Sequence, residues 1–176
     1  MAIEEVFIGR QPILDRKHDL FAYELLFRSG RQKNEAHVHD DLAATASVIS
    51  YAFAELGIEQ ALGPYKGFVN CDATLLLSDI IEILPPDKIV LEVLETVELT
   101  PEIVERCTTL KERGFTLALD DFVHYEDKWQ ALLDQIDIVK VDVLSMSEAQ
   151  LIEVTRALQR WPATLLAEKV DNREQA

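Results

Sequence analysis

Thr116-Leu117-Ala118-Leu119-Asp120, followed after one short helical stretch by Ile138-Val139-Lys140-Val141-Asp142, decides the fold. Each is a brief aliphatic or β-branched run that closes on an acid. Parallel strands buried on both faces read this way, because neither face needs the polar alternation of a half-solvated sheet. Working outward, Gly67 to Asn70 and Ile89 to Glu92 precede this pair and Thr164 to Glu168 follows it, all of the same kind. Single amphipathic helices separate them, the pattern of a parallel α/β domain. Two earlier runs, Val6 to Leu14 and Leu20 to Phe27, bring the count to about seven strands.

The helices carry their own punctuation. Thr100 serves as N-cap with Pro101 in the first turn, Ile103, Cys107 and Leu110 line one side, and Gly114 stops the helix. Ser147-Glu148-Ala149-Gln150 reads as a capping box for a helix carrying Leu151, Val154 and Leu158 toward Pro162. Shorter helices are predicted at 73–80 and 127–134, and an earlier one from Asp40 or Asp41, with Leu42, Ala46, Ile49, Phe53 and Leu56 inward and Gly57 as its end. A complete (β/α)8 barrel takes about 250 residues. The 176 residues end where a seventh crossover helix is due, so the expectation is a TIM-like (β/α)8 barrel truncated after about seven strands.

Composition narrows the functions. With 48% apolar residues the chain buries a real core, and a net charge of −15 disfavours duplex nucleic acid, whose affinity comes from basic groups on phosphates. No run approaches the roughly 18 apolar residues of a membrane span, and Met1-Ala2-Ile3-Glu4-Glu5 carries acids where a signal peptide carries bases, so a cytoplasmic location is expected. Cys71 and Cys107 have no metal or redox spacing and read as reduced, structural thiols. His37 and His39, in a polar stretch, read as loop residues, and His124 as solvent-facing. Trp129 and Trp161 read as packing anchors.

The chemistry gathers at one end of the strands. Asn70, Glu92, Asp120 with Asp121, Lys140 with Asp142, and Glu168 all stand at or near C-terminal strand ends, the rim on which barrels build active sites. Any single acid there could be a helix N-cap; five strands repeating it ask for another reason. Converging carboxylates repel one another unless a cation sits among them, and hard Asn, Asp and Glu oxygens suit Mg2+ or Mn2+. Lys140 and Asp142 are two residues apart and share a strand face, so a lysine among these acids is paired, catalytic or both. Glu24, Leu26 and Arg28 alternate likewise, placing a carboxylate, an apolar contact and a phosphate-binding guanidinium on one side.

Tyr23-Glu24-Leu25-Leu26-Phe27-Arg28 resembles the signature segment of the EAL domains, the cyclic di-GMP phosphodiesterase family, with Leu25 in place of alanine. Phe68-Val69-Asn70, Leu91-Glu92-Val93-Leu94-Glu95-Thr96, Ala118-Leu119-Asp120-Asp121-Phe122, Val139-Lys140-Val141-Asp142 and Ala167-Glu168-Lys169-Val170-Asp171 follow in the family's order across nearly the whole chain. The resemblance implies metal binding by Glu24, Asn70, Glu92, Asp120 and Asp121, a two-metal Mg2+ or Mn2+ site if active, and catalytic parts for Lys140, Glu168 and Asp142. It further implies cyclic di-GMP contacts from Leu26, Arg28, Asp121 and Asp171, with Glu95 anchoring the loop after Phe122. The reaction implied opens cyclic di-GMP to linear pGpG.

Departures from the family pattern cluster in that loop. Val123-His124-Tyr125-Glu126-Asp127-Lys128 stands where a glycine-rich segment is expected, about one residue short before Lys140. Lys169 replaces a glycine and Asp171 a glutamate. The expectation is therefore a degenerate member with weak or no hydrolysis, with active hydrolysis and a noncatalytic protein-interaction scaffold as the alternatives. The segment Phe7 to Asp15 resembles the subgroup in which such a domain precedes an HDOD domain. With about seven of eight strands present, residues 1–176 are expected to be the first three-quarters or so of the EAL domain, and a homodimer or a downstream HDOD-type domain is the expected partner.

Overall fold

The computed structural model describes residues 6–29 and 57–170; the helix predicted from Asp40, His37, His39 and Asp171 lie outside them. Seven strands form one curled sheet in sequence order: β1 (Val6–Leu14), β2 (Leu20–Ser29), β3 (Lys66–Cys71), β4 (Ile89–Val93), β5 (Thr116–Phe122), β6 (Ile138–Asp142) and β7 (Thr164–Glu168). From β2 onward every pairing is parallel, while β1 and β2 form an antiparallel hairpin. The turn between these two uses Asp15, whose side chain accepts from the backbone N–H of Lys17 and Asp19, and His18 at φ 64°. Parallel periodicity gives no hint of this hairpin, which needs only a short turn where a parallel pair needs a crossover.

The helices are α1 (Ile58–Leu62), α2 (Ala73–Leu77), α3 (Pro101–Glu112), α4 (Gln130–Leu133) and α5 (Glu148–Leu158). Thr100 caps α3 by accepting from Ile103 N–H, and Ser147 with Gln150 completes the capping box of α5, both as the sequence predicts. The helix predicted at 73–80 is instead α2 followed by a 3-10 segment, Asp79–Ile83. Ser78 divides the two by adopting extended backbone and capping the second piece. The stretch 127–134 likewise opens as a 3-10 turn before α4.

Two apolar layers flank the sheet. The larger lies between strands and helices and includes Leu25, Val69, Leu91, Leu117, Val139, Cys107, Leu110 and Leu158. A smaller one, Ala22, Phe68, Val90, Ala118 and Ile138, fills the inside of the curl with Ile13 and Leu166 against it. Two residues further along a strand the chain returns to the same face. Applied to Ala22, Phe68, Val90, Ala118, Ile138 and Leu166, that step gives Glu24, Asn70, Glu92, Asp120, Lys140 and Glu168. The apolar plug is thus the floor of the polar layer.

Candidate cation and phosphate site

Lys140 organises that layer. Its side chain is 3% exposed, and its Nζ lies 2.9 Å from Asp120 Oδ1, 2.6 Å from Glu168 Oε1 and 3.8 Å from Glu24 Oε2. It also donates to Glu92 Oε1, whose side chain is fully buried. Four strands thus aim carboxylates at one ammonium group borne by β6. Asn70 stands beside Glu92 in the β3–β4 register.

One ammonium does not satisfy this cluster. The buried oxygens Asn70 Oδ1, Glu92 Oε2 and Glu168 Oε2 find no hydrogen-bond partner among the described residues. Buried polar atoms almost always have a partner, so these orphaned acceptors could take a further cation. One oxygen each from Glu92, Asp120 and Glu168 lie within 4.8 Å of one another, close enough to share an ion. The donor set, carboxylates with an amide, fits a hard divalent cation. The Asp120 carboxyl is raised to about 7, first by burial and then by the charges of Glu168, Asp121 and Glu24.

A second cluster lies alongside. Between Leu119 and Phe122 the β5–β6 register shifts, and Asp121 takes a left-handed backbone at φ 44°. Its Oδ1 lies 2.8 Å from Lys169 Nζ, which is also 2.8 Å from Asp142 Oδ2. Lys169 itself has φ 56°, and the hydrogen bonds it donates to both acids hold its ammonium above the ordinary lysine range. Asp142 is 4% exposed. Burial pushes its carboxyl up, but hydrogen bonds from Lys169 and Ser145 outweigh this and hold it at about 2. Ser145 Oγ donates to Asp142 at 2.5 Å, and the backbone N–H of Leu144 and Ser145 also donate to it. One oxygen each from Glu95, Asp120 and Asp121 form a further trio within 4.8 Å, so Asp120 belongs to both trios.

The structure therefore brings Glu24, Glu92, Asp120, Lys140 and Glu168 into contact and sets Asn70 beside them. Asp142 shares a strand face with Lys140 and pairs with Lys169. Leu26 lies half-buried two residues beyond Glu24 and opposite Gly9. Arg28 is fixed in β2 opposite Phe7, and its side chain lies outside the described part. Sequence reasoning treated Glu95 as a loop anchor, while here its carboxylate also joins Asp120 and Asp121. It missed Ser145 and the bridging role of Lys169. The available signal was a lysine at a position where the family pattern calls for glycine, since glycine marks left-handed backbone.

The remaining predicted groups lie apart from the chemistry. His124 pairs with exposed Glu126 at 2.5 Å, and Lys128 reaches the same carboxylate at 3.0 Å. Trp129 packs edge-on against Phe122, while Trp161 stacks near Tyr125 and donates to Asp134 at 2.7 Å. Cys71 and Cys107 are free, buried thiols whose pKa values burial raises. Among the described residues no helix is long and apolar enough to cross a membrane.

No family model matches the chain. YuxH of Bacillus subtilis (strain 168) is 34% identical over 174 residues, 97% of this chain and 42% of that protein. The cyclic di-GMP phosphodiesterase CdgJ of Vibrio cholerae is 34% identical over 171 residues, 96% of this chain and 39% of that protein. The chain thus spans about two fifths of the length of these curated relatives. Among solved structures, the Bacillus subtilis YkuI protein, with an EAL domain in complex with c-di-GMP and calcium, superposes with a TM-score of 0.77 at 20% identity, covering 97% of this chain and 49% of that one. A standalone EAL protein from Vibrio cholerae O395 in its c-di-GMP-bound form gives 0.69 at 21% identity, covering 99% and 85%.

Proposed function

From the EAL-domain fold that this chain has, we propose that it is a cyclic di-GMP signalling domain that grips the dinucleotide through Mg2+ or Mn2+ and hydrolyses it weakly or not at all. The observation that carries this reading is the trio of orphaned acceptors, Asn70 Oδ1, Glu92 Oε2 and Glu168 Oε2, buried beside Lys140. In an acidic chain a phosphodiester needs a local source of positive charge, and these oxygens are where a divalent ion would supply it.

Glu24, Asn70, Glu92 and Asp120 would hold the ion, with Asp121 at its border. A bound Mg2+ or Mn2+ supplies Lewis acidity toward a phosphoryl oxygen and a lowered pKa for a bound water. Lys140 Nζ keeps Glu92, Asp120 and Glu168 converged, and its positive charge would help position the attacking water. Glu168 pairs with Lys140 at 2.6 Å and adds its charge to the group that holds that ammonium. Arg28, Leu26 and Asp171 complete the dinucleotide contacts in this reading.

Weak turnover rests on the segment after Phe122. There His124, Glu126 and Lys128 pair with one another in solvent, and Val123 is exposed, so these side chains spend their charges away from the acid layer. A second reading, efficient hydrolysis to linear pGpG, is favoured by the 34% identity to CdgJ. The N-terminal segment Phe7 to Asp15 supports placing this domain ahead of an HDOD-type domain in the same protein.

Calorimetry of cyclic di-GMP with the full chain in Mn2+, paired with chromatography of the nucleotide products, tests the proposal. Binding with little linear product supports it, and rapid product formation selects the second reading. No heat of binding in Mn2+ removes both.

A further inference from the structure

The two carboxylate trios share Asp120 but differ in what their oxygens lack. Around Lys140, three buried acceptors stay unpartnered among the described residues although the ammonium is already surrounded. Around Lys169, no buried side-chain acceptor is left over among the described residues. Asp121 Oδ1 receives Lys169 Nζ, Asp142 Oδ2 receives Lys169 and Ser145 Oγ, and Asp142 Oδ1 receives the N–H groups of Leu144 and Ser145. The first cluster has room for another positive charge, and the second already has one.

The backbone is bent to achieve this. Asp121 and Lys169 are two of the three non-glycine residues with positive φ among the described residues, and they are partners across the mouth. A left-handed lysine costs about 1 kcal/mol or more relative to ordinary backbone, so it persists where its side chain is held. We infer that the Lys169 ammonium is this chain's built-in second cation, filling the place beside Asp121 where the Glu95, Asp120 and Asp121 trio would otherwise take a divalent ion. The mouth then binds one divalent ion per chain, at the Lys140 side. The inference rests on the proposed cation site around Asn70, Glu92 and Asp120.

The test is a metal titration read without turnover. The full chain, stripped by chelation, is titrated with Mn2+ alone, counting tight ions by calorimetry and scoring ion pairs by electron paramagnetic resonance. Wild type is expected to take one uncoupled Mn2+. Lys169→Gly and Lys169→Asn, both tolerant of left-handed backbone, should take two that are spin-coupled, whereas Lys169→Arg should stay at one. Two coupled ions in wild type, or a single ion in both neutral variants, would overturn the inference and leave the proposed function standing. No tight ion in wild type would remove the cation reading as well.

Discussion

Asp120 sits where both carboxylate trios meet, and its titration reports the cost of that position. Its folded pKa of about 7 exceeds the ordinary 3.8, so the unfolded chain releases this proton first. Stability from this group is present below about pH 4 and is lost as pH rises toward 7. Metal-free wild type and Asp120→Asn should therefore melt alike at pH 4. By pH 7 wild type should fall several degrees below the variant, and saturating Mn2+ should reverse that order. Thermal melts across this range check it, and a pH-independent gap would remove the crowding argument. At Asn70, whose amide oxygen is buried without a partner, Asn70→Ala should weaken Mn2+ affinity about tenfold or more, the scale of even outer-shell losses at metal sites. Calorimetry gives the number.

Much of this residue-level pattern was legible in the sequence. Glu24, Asn70, Glu92, Asp120, Lys140 and Glu168 occupy the inward face by simple alternation, which periodicity exposes. Glu95 and Lys169 were not legible in their full roles. One lies in a turn and the other on left-handed backbone, and neither position obeys a strand period. Asp137 shows the complementary discrimination. It precedes β6, binds Lys111 at 2.5 Å and Leu117 N–H at 2.9 Å, and so ties elements at the opposite end, where acids serve stability.

At the scale of elements, close approach explains a glycine that composition leaves silent. A methyl group on Gly67 of β3 would stand 2.9 Å from Leu25 Cδ1 and 3.0 Å from Leu62 Cδ1, so α1 packs directly onto bare backbone. Gly67→Ala should cost about 1 to 3 kcal/mol, the usual range for overpacking, read as a lower urea midpoint with an unchanged slope. The capping box of α5 gives a second measure. Ser147→Ala removes the acceptor for Gln150 N–H and should cost about 1 kcal/mol by the same assay. The capped helices were foreseen because cap chemistry is local. The split at Ser78 was not, since it follows from α2 and the 3-10 segment turning to accept Arg106, which donates to Leu76 O at 2.8 Å and Ser78 O at 3.1 Å.

For the whole molecule, a cation held only by the folded arrangement adds stability by mass action. At about 100 times the dissociation constant this amounts to about 2.7 kcal/mol, or roughly 5 to 10 °C in Tm for a domain of this size. Melts with chelator and with Mn2+ check it, and coincident curves would show that the acid layer holds no ion. The curled sheet itself follows from parallel strands whose inward residues are consistently apolar one step below the polar layer. That regularity made the architecture readable, while the opening hairpin broke it.

The stacking of a polar tier on an apolar floor separates two kinds of inheritance. Because the groups that would touch ions stand above those that fill the curl, drift in the upper tier can silence turnover without unsettling the scaffold below. A lineage built on this plan is free to trade an enzyme for a listener through a few exchanges at the rim, its shape passing on unchanged.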